Sequence, residues 1–214
     1  MHTVTDTVRE IVKKSPFIQE VLKNDWLNLS QYAASIKPEV ESKTWKKVQT
    51  GSIITALGRI RAEIQTTFDI QFKIVDISLK LPITEFNFAK TPEHSAKIEQ
   101  LYKHFATTDN HFLNIISGNT ETGIFVNSNY DKLVQKIFKP QKPNIHLTSL
   151  GAVSIKFDPI FLATTGAVYQ ILKYLVWENI NLLEVISTYT ELTLIVEKAD
   201  ANRVLEVLSR ELIG

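Results

Sequence analysis

The sequence has no cysteine, which excludes disulfides, thiolate nucleophiles and cysteine-held metals. Its seven glycines are scattered and sit mostly at turns and element ends. Neither G-x-G-x-x-G nor G-x-x-x-x-G-K-[ST] occurs, so no glycine-rich loop is present to cradle a phosphate. No stretch approaches the ~20 apolar residues of a membrane-spanning helix. The start, MHTVTDTVREIVKK, lacks the apolar centre of a signal sequence. The expectation is a cytoplasmic protein with no membrane contact. Five histidines (His2, His94, His104, His111 and His146) follow no metal-ligand spacing and read as surface or satisfied core residues. Glu85, Glu93 and Glu99 read as strand-face and helix-face charges rather than paired catalytic carboxylates. No nucleophile sits with a base. Catalytic residues, metals and cofactors are therefore not expected, and the chain does not read as an enzyme.

What is present suits a folded protein. The chain has 214 residues, 44% of them apolar, enough for one large or two small cores. A net charge of +1 carries no global commitment to nucleic acid or anionic membrane. The charge is unevenly spread: residues 1–65 hold 10 Lys/Arg against 7 Asp/Glu, and residues 150–214 hold 5 against 8. The N-terminal segment is the basic end.

The last third is the most legible. GAVSIKF (151–157) alternates as a strand does. A helix with Val168, Ile171, Leu172, Leu175 and Val176 at helical spacing follows from Gly166, and Asn179 and Asn181 end it. Leu183 to Ser187 and Leu192 to Lys198 read as a strand pair across a short turn. Asp200 is placed to cap a final helix with Ala201, Val204, Leu205, Leu208 and Leu212 on one face. The order β-α-β-β-α is that of a ferredoxin-like half with one strand to come.

These residues resemble the second regulatory ACT domain of aspartate kinases over some sixty positions. Gly166 takes the place of the family's loop glycine. Glu178-Asn179-Ile180-Asn181 takes that of its turn, Val185-Ile186-Ser187-Thr188 that of its second strand, and Asp200-Ala201-Asn202-Arg203 opens the last helix. The resemblance implies an amino-acid effector whose carboxylate meets backbone amides at a helix start. The residues it points to are Asp158, Thr164, Thr165, Gly166 and Ala167, with Asn179, Ile180, Asn181 and Ser187 from a facing strand and turn. Residue by residue, packing and turn chemistry account for the same glycine and asparagines.

Residues 66–149 read as the same order again, so a divergent tandem repeat is expected. Phe68 to Leu81 is β-rich and Pro82 is expected to break it; a separate strand follows in ITEFNFAK. Thr91 and Pro92 start a helix, His111 to Ser117 and Thr122 to Ser128 form a hairpin, and Asn129 caps YDKLVQKIF. NIHLTSL then leads into the second module. The loop AKTPEHSAK lacks the family's glycine. The second module lacks a closing strand, which Phe68 to Leu79 is placed to supply.

Residues 1–65 read as helical. Ser15-Pro16 separates two short helices, Asn28 caps a third ending near Ile36, Pro38 opens a fourth, and Thr50 caps GSIITALGRIRAEI. L-S-x-x-A-x-x-I followed by V-x-x-G-S-I-x-x-A-L-x-R is similar to the helix-turn-helix of winged-helix regulators. That resemblance implies DNA contact by Gln49, Thr50, Ser52, Thr55 and Arg59, helped by Lys43, Lys46 and Lys47. An apparent gap of eleven residues, Lys37 to Lys47, departs from the motif. A helical bundle with solvated lysines remains the other reading.

The expectation is an α+β chain: a helical segment (1–65), then tandem ferredoxin-like ACT modules (66–149 and 150–214). It implies a homodimeric regulator that binds an amino acid, with DNA or a metabolic enzyme as its output partner.

Overall fold

The computed structural model describes residues 3–64, 73–107, 109 and 111–212. The chain divides into two compact units, 1–71 and 72–214.

The first unit is helical. Thr3 accepts from the Asp6 amide and caps α1 (Val4–Lys13); Ser15 accepts from Ile18 and caps α2 (Pro16–Lys23). Asn28 accepts from Gln31 and caps α3 (Leu29–Thr44), and α4 (Thr50–Ile64) follows, with Thr50 as its first residue rather than its cap. Val8, Val12, Leu22, Ala33, Val40, Ile53, Leu57 and Ile60 form the core. The expected break before Pro38 does not occur. Pro38 removes the amide that would bond the Ala34 carbonyl, and both residues lie on the exposed side of α3, where water can satisfy that oxygen. The gap before α4 shrinks accordingly to residues 45–49. Trp45 ends α3 in the left-handed region, with φ 55°.

The second unit is an antiparallel sheet with helices. In chain order it contains β1 (Ile74–Ala89), α5 (His94–Phe105), β2 (Leu113–Ser117), β3 (Glu121–Asn127), α6 (Asp131–Phe138), β4 (Ile145–Phe157), α7 (Ala167–Trp177), β5 (Glu184–Ser187), β6 (Glu191–Glu197) and α8 (Lys198–Leu212). The strands lie in the order β2-β3-β1-β4-β6-β5. Some boundaries differ from expectation. Asp200 lies in the first turn of α8 rather than at its cap. Tyr130, not Asn129, precedes α6, and the expected helix start at Thr91-Pro92 falls at His94.

Pro82 does not end β1. It sits exposed at an irregularity between Lys80 and Ile83, so the amide it lacks is not needed by the ladder there. Likewise NIHLTSL and GAVSIKF merge into β4, and the expected boundary between 149 and 150 falls inside that strand. Ser149, with φ 60°, stands beside the same irregularity, next to Leu150, which pairs with Ile83. The two long strands divide their pairing. Ile83–Ala89 pairs with β3, whereas Ile74–Lys80 pairs with Ala152–Phe157 of β4, whose other neighbour is β6. The strand that closes the C-terminal half thus comes from before the N-terminal half, as the sequence suggested from Ile74 onward; Phe68 to Phe72 lie outside the described residues.

Both sheet faces are covered near the centre. On one face Phe86, Phe88, Ile124 and Val126 meet Leu101 and Phe105 of α5 and Val134 and Phe138 of α6. Alternate residues point the other way: Ile83, Phe125, Leu150, Ala152 and Ile195 form a second cluster, with Phe112. This explains why GIFV and LTLIV read as continuous apolar runs rather than alternating ones.

Candidate functional site

The loop from β4 to α7 is fixed at its root. The Phe157 amide donates to the Thr190 carbonyl at 2.8 Å and the Asp158 amide to the Lys73 carbonyl at 2.9 Å. The Asp158 carboxylate accepts from the Ile160 amide at 3.0 Å and so caps a single 3-10 turn, Pro159–Ala163. Phe161 from that turn stacks on Phe157, and the Thr164 hydroxyl donates to the Ile160 carbonyl at 2.8 Å. Gly166 then adopts φ 82°, ψ 5°, a left-handed turn that a Cβ would strain. Ala167, buried, begins α7.

Asn179, Ile180 and Asn181 lie at the other end of α7. Asn179 takes φ 54° and Ile180 donates to the Leu175 carbonyl at 2.9 Å, a left-handed helix stop. Beside them the Glu178 carboxylate accepts from Arg203 at 2.8 Å and Arg210 at 3.0 Å, bonds that hold its pKa below the usual carboxylate range. An eleven-residue helix is about 16 Å long. Ser187 ends β5, which runs parallel to β4, and so lies at the Asp158 end. The structure therefore gathers Asp158, Thr164, Thr165, Gly166, Ala167 and Ser187 at one end and Asn179, Ile180 and Asn181 at the other. The corresponding loop of the N-terminal half is closed by its own side chains. Buried His94 lies 3.2 Å from the Thr122 hydroxyl and 2.8 Å from the Gln141 carbonyl oxygen, while Gln141 donates to the Ala89 carbonyl at 2.7 Å.

In the helical unit, Ser52, Thr55 and Arg59 lie exposed along one side of α4, with Gln49 exposed just before it and Thr50 half-buried at its start. Lys46 and Lys47 are exposed in the preceding turn. Lys43 is bound to Glu39 at 3.0 Å.

The sheet face opposite α5 and α6 holds two further cavities, which the sequence reading did not anticipate. Their linings show how far the sheet curls. Glu184 of β5 and Ile116 of β2 line the same cavity of about 150 Å³, although those strands are five places apart in the sheet, about 24 Å if it were flat. The other residues of this cavity are Glu85, Asn87, Gly118, Glu121, Gly123 and Phe125. A second cavity, about 310 Å³, lies beside Asp76, Lys80, Ser154, Lys156, Glu191 and Asn114.

The two cavities occupy matching places. Ile116-Ser117-x-x-Thr120-Glu121 and Ile186-Ser187-x-x-Thr190-Glu191 repeat the same residues and form the same hairpin, with Gly118 and Thr188 donating to the carbonyls of Glu121 and Glu191 at 2.9 Å. Their charges differ. In the larger cavity Lys156 lies opposite both Asp76 and Glu191 in the strand register. The smaller is lined by three glutamates and no Lys, Arg or His. Glu85 is 4% exposed, and its pKa is raised by burial and then by the charge of Glu184. Among the described residues no group of His, Asp or Glu is arranged to hold a metal ion, and no helix is long and apolar enough to cross a membrane.

No protein-family model matches the chain, and no curated protein does. Solved structures are similar to it. The regulatory subunit of aspartate kinase from Thermus thermophilus, in a ligand-free form, is 13% identical, with 65% of this chain and 99% of that one covered, at a TM-score of 0.52. A structure of aspartokinase alpha and beta subunits matches at 13% identity over 66% of this chain and 100% of that one, TM-score 0.53. Aspartate kinase from Clostridium acetobutylicum, described as an allosteric enzyme, matches at 16% identity over 65% of this chain and 34% of its own, TM-score 0.53. At these identities the likeness is one of fold: helices on an antiparallel sheet, as in aspartate kinase regulatory domains.

Proposed function

We propose that the chain is an amino-acid-responsive regulatory protein of the ACT type, acting in the cytoplasm without catalytic activity of its own. On this reading 66–149 and 150–214 are tandem ferredoxin-like modules and 1–65 is the output domain. The observation that carries it is the Gly166 turn. A glycine in the left-handed region lets a ligand approach the backbone where α7 begins, and the helix start favours a carboxylate. The likeness of fold to a kinase regulatory subunit supports the same assignment. The N-terminal module, its loop filled by His94 and Gln141, serves as scaffold.

The separation of Gly166 from Asn179 and Asn181 along α7 gives the second copy a role. In a homodimer, the turn of one protomer completes the pocket opened by the loop of its partner. The exposed apolar surface of α7, including Val168, Tyr169, Val176 and Trp177, is where that partner packs. A thermal-shift screen against the twenty amino acids at millimolar concentration tests the reading, because a ligand of the folded state raises the melting temperature. One amino acid giving a rise that Gly166→Val removes supports it; no rise with any of them sinks it.

A second reading concerns output. The exposed row Ser52, Thr55 and Arg59 on α4, with Lys46 and Lys47 beside it, favours DNA over an enzyme as the partner. Retention on DNA that falls steeply with salt supports this; stoichiometric co-purification of a metabolic enzyme points to the regulatory-subunit alternative.

A further inference from the structure

The 150 Å³ cavity poses a chemical problem that the described residues do not solve by themselves. Glu85 points from the centre of the sheet onto the face opposite α5 and α6, next to Asn87 two residues along β1. It is 4% exposed, and among the described residues it has neither a hydrogen bond nor an ion pair. A carboxylate largely withdrawn from water is costly unless a charge partner or a proton compensates it. A like charge makes matters worse: Glu184, brought over by the curl of the sheet, raises the Glu85 pKa further.

The other carboxylates of the cavity, Glu121 and Glu184, are acceptors as well. Asn87 donates one amide N–H to Glu121, at 3.2 Å, and its carbonyl oxygen is left buried with no partner. Lys90 stands at the hairpin end, but its ammonium donates to the Gly118 carbonyl at 2.9 Å rather than to a carboxylate. The matching cavity of the other half contains lysines among its acids, so acidity is a property of this site and not of the fold.

We infer that the cavity formed by Glu85, Asn87, Glu121 and Glu184 binds a primary ammonium group, the terminal amine of an alkylamine or diamine. Three considerations select this class. The volume admits a head group and a short alkyl stem. An ammonium is a compact cation with three donors and no acceptor, which matches the buried Glu85 carboxylate, the orphaned Asn87 oxygen and a second carboxylate from Glu184 or Glu121. Ile116 and Phe125 also line the cavity and are set to pack on an alkyl stem. Among the described residues no three Asp, Glu or His side chains gather as a metal site requires. The inference does not rest on the amino-acid reading of the α7 loop, which lies on the other side of the sheet.

The test is a thermal-shift titration of the full chain with 1,5-diaminopentane and butylamine, against butanol and calcium chloride. Both amines are expected to raise the melting temperature in a saturable way, and butanol and calcium to leave it unchanged. Glu85→Gln is expected to weaken amine binding at least tenfold and Glu184→Gln to weaken it less, whereas Gly166→Asn leaves it intact. Glu85→Gln removes a buried charge and is expected to fold. The inference is overturned if neither amine shifts the melting temperature, if Glu85→Gln responds as the parent does, or if calcium acts and the amines do not.

Discussion

Gly151 lies directly beneath Ala201: a Cβ at Gly151 would stand 2.5 Å from the Ala201 Cβ and 2.8 Å from the Leu81 Cδ2. The missing side chain lets α8 settle on β4 beside the irregularity between Lys80 and Ile83. Gly151→Ala is therefore expected to destabilise the protein by about 1–3 kcal/mol through overpacking. Urea denaturation measures this directly. Ala201→Gly added to it should recover part of the loss and not all, because Leu81 still obstructs the methyl group.

Glu85 has a folded-state pKa raised above its unfolded value by burial and by Glu184. The folded state thus holds its proton where the unfolded state has released it, and the slope of stability with pH follows. The Glu85 contribution is fully present below the unfolded carboxylate pKa. It is lost as pH rises from there through the raised folded value. Glu85→Gln should flatten this decline, so the variant gains on the parent at neutral pH and matches it in acid. Equal pH dependence in the two proteins would mean that Glu85 titrates normally.

His94 is buried between two polar partners and meets the rings of Phe88 and Phe138 edge-on. His94→Leu preserves bulk but leaves the Gln141 and Thr122 oxygens without their partner. A loss of about 1–3 kcal/mol is expected, measurable by chemical denaturation. A neutral result would mean that water replaces the imidazole there.

Much of this was written in local pattern. The break at Ser15-Pro16, the cap at Asn28, the strand runs of β3 and β6 and the apolar spacing of α7 and α8 all lie in short windows. What was not legible depends on distant neighbours. Pro38 and Pro82 read as breaks because each removes an amide, but only the tertiary structure shows that the Ala34 carbonyl faces water and that Pro82 falls at a bulge. Gly166 and the asparagines were already placed at the two ends of one helix; the left-handed backbone at Gly166 and Asn179 is what the structure adds. Glu85 read as an ordinary strand-face charge because nothing local shows that the sheet curls Glu184 towards it. The repeated I-S-x-x-T-E was the available signal that the two hairpins build equivalent sites.

Trp45 and Gly166 make a matched pair of tests of left-handed backbone. Trp45 is 92% exposed at φ 55°, so Trp45→Asn should stabilise the helical unit by up to ~1 kcal/mol, since asparagine tolerates that conformation and little packing is lost. Gly166→Ala should cost about 1–2 kcal/mol and Gly166→Asn less. Thermal melts of the three variants check both statements. A destabilised Trp45→Asn would show that the indole packs more than its exposure suggests.

The division of labour along β1 and β4 makes the two halves of the sheet inseparable. Ile74–Lys80 precedes one half in the chain yet closes the other, and Ile145–Leu147 precedes the second half yet pairs with Glu85–Asn87 of the first. A fragment ending at residue 149 would carry an orphan edge strand, and one starting at 150 would expose the flank of β4 that Ile74–Lys80 covers. Neither piece is a smaller version of the whole. Expressed apart they should aggregate or find each other; mixed, they should reassemble with the strand order of the parent.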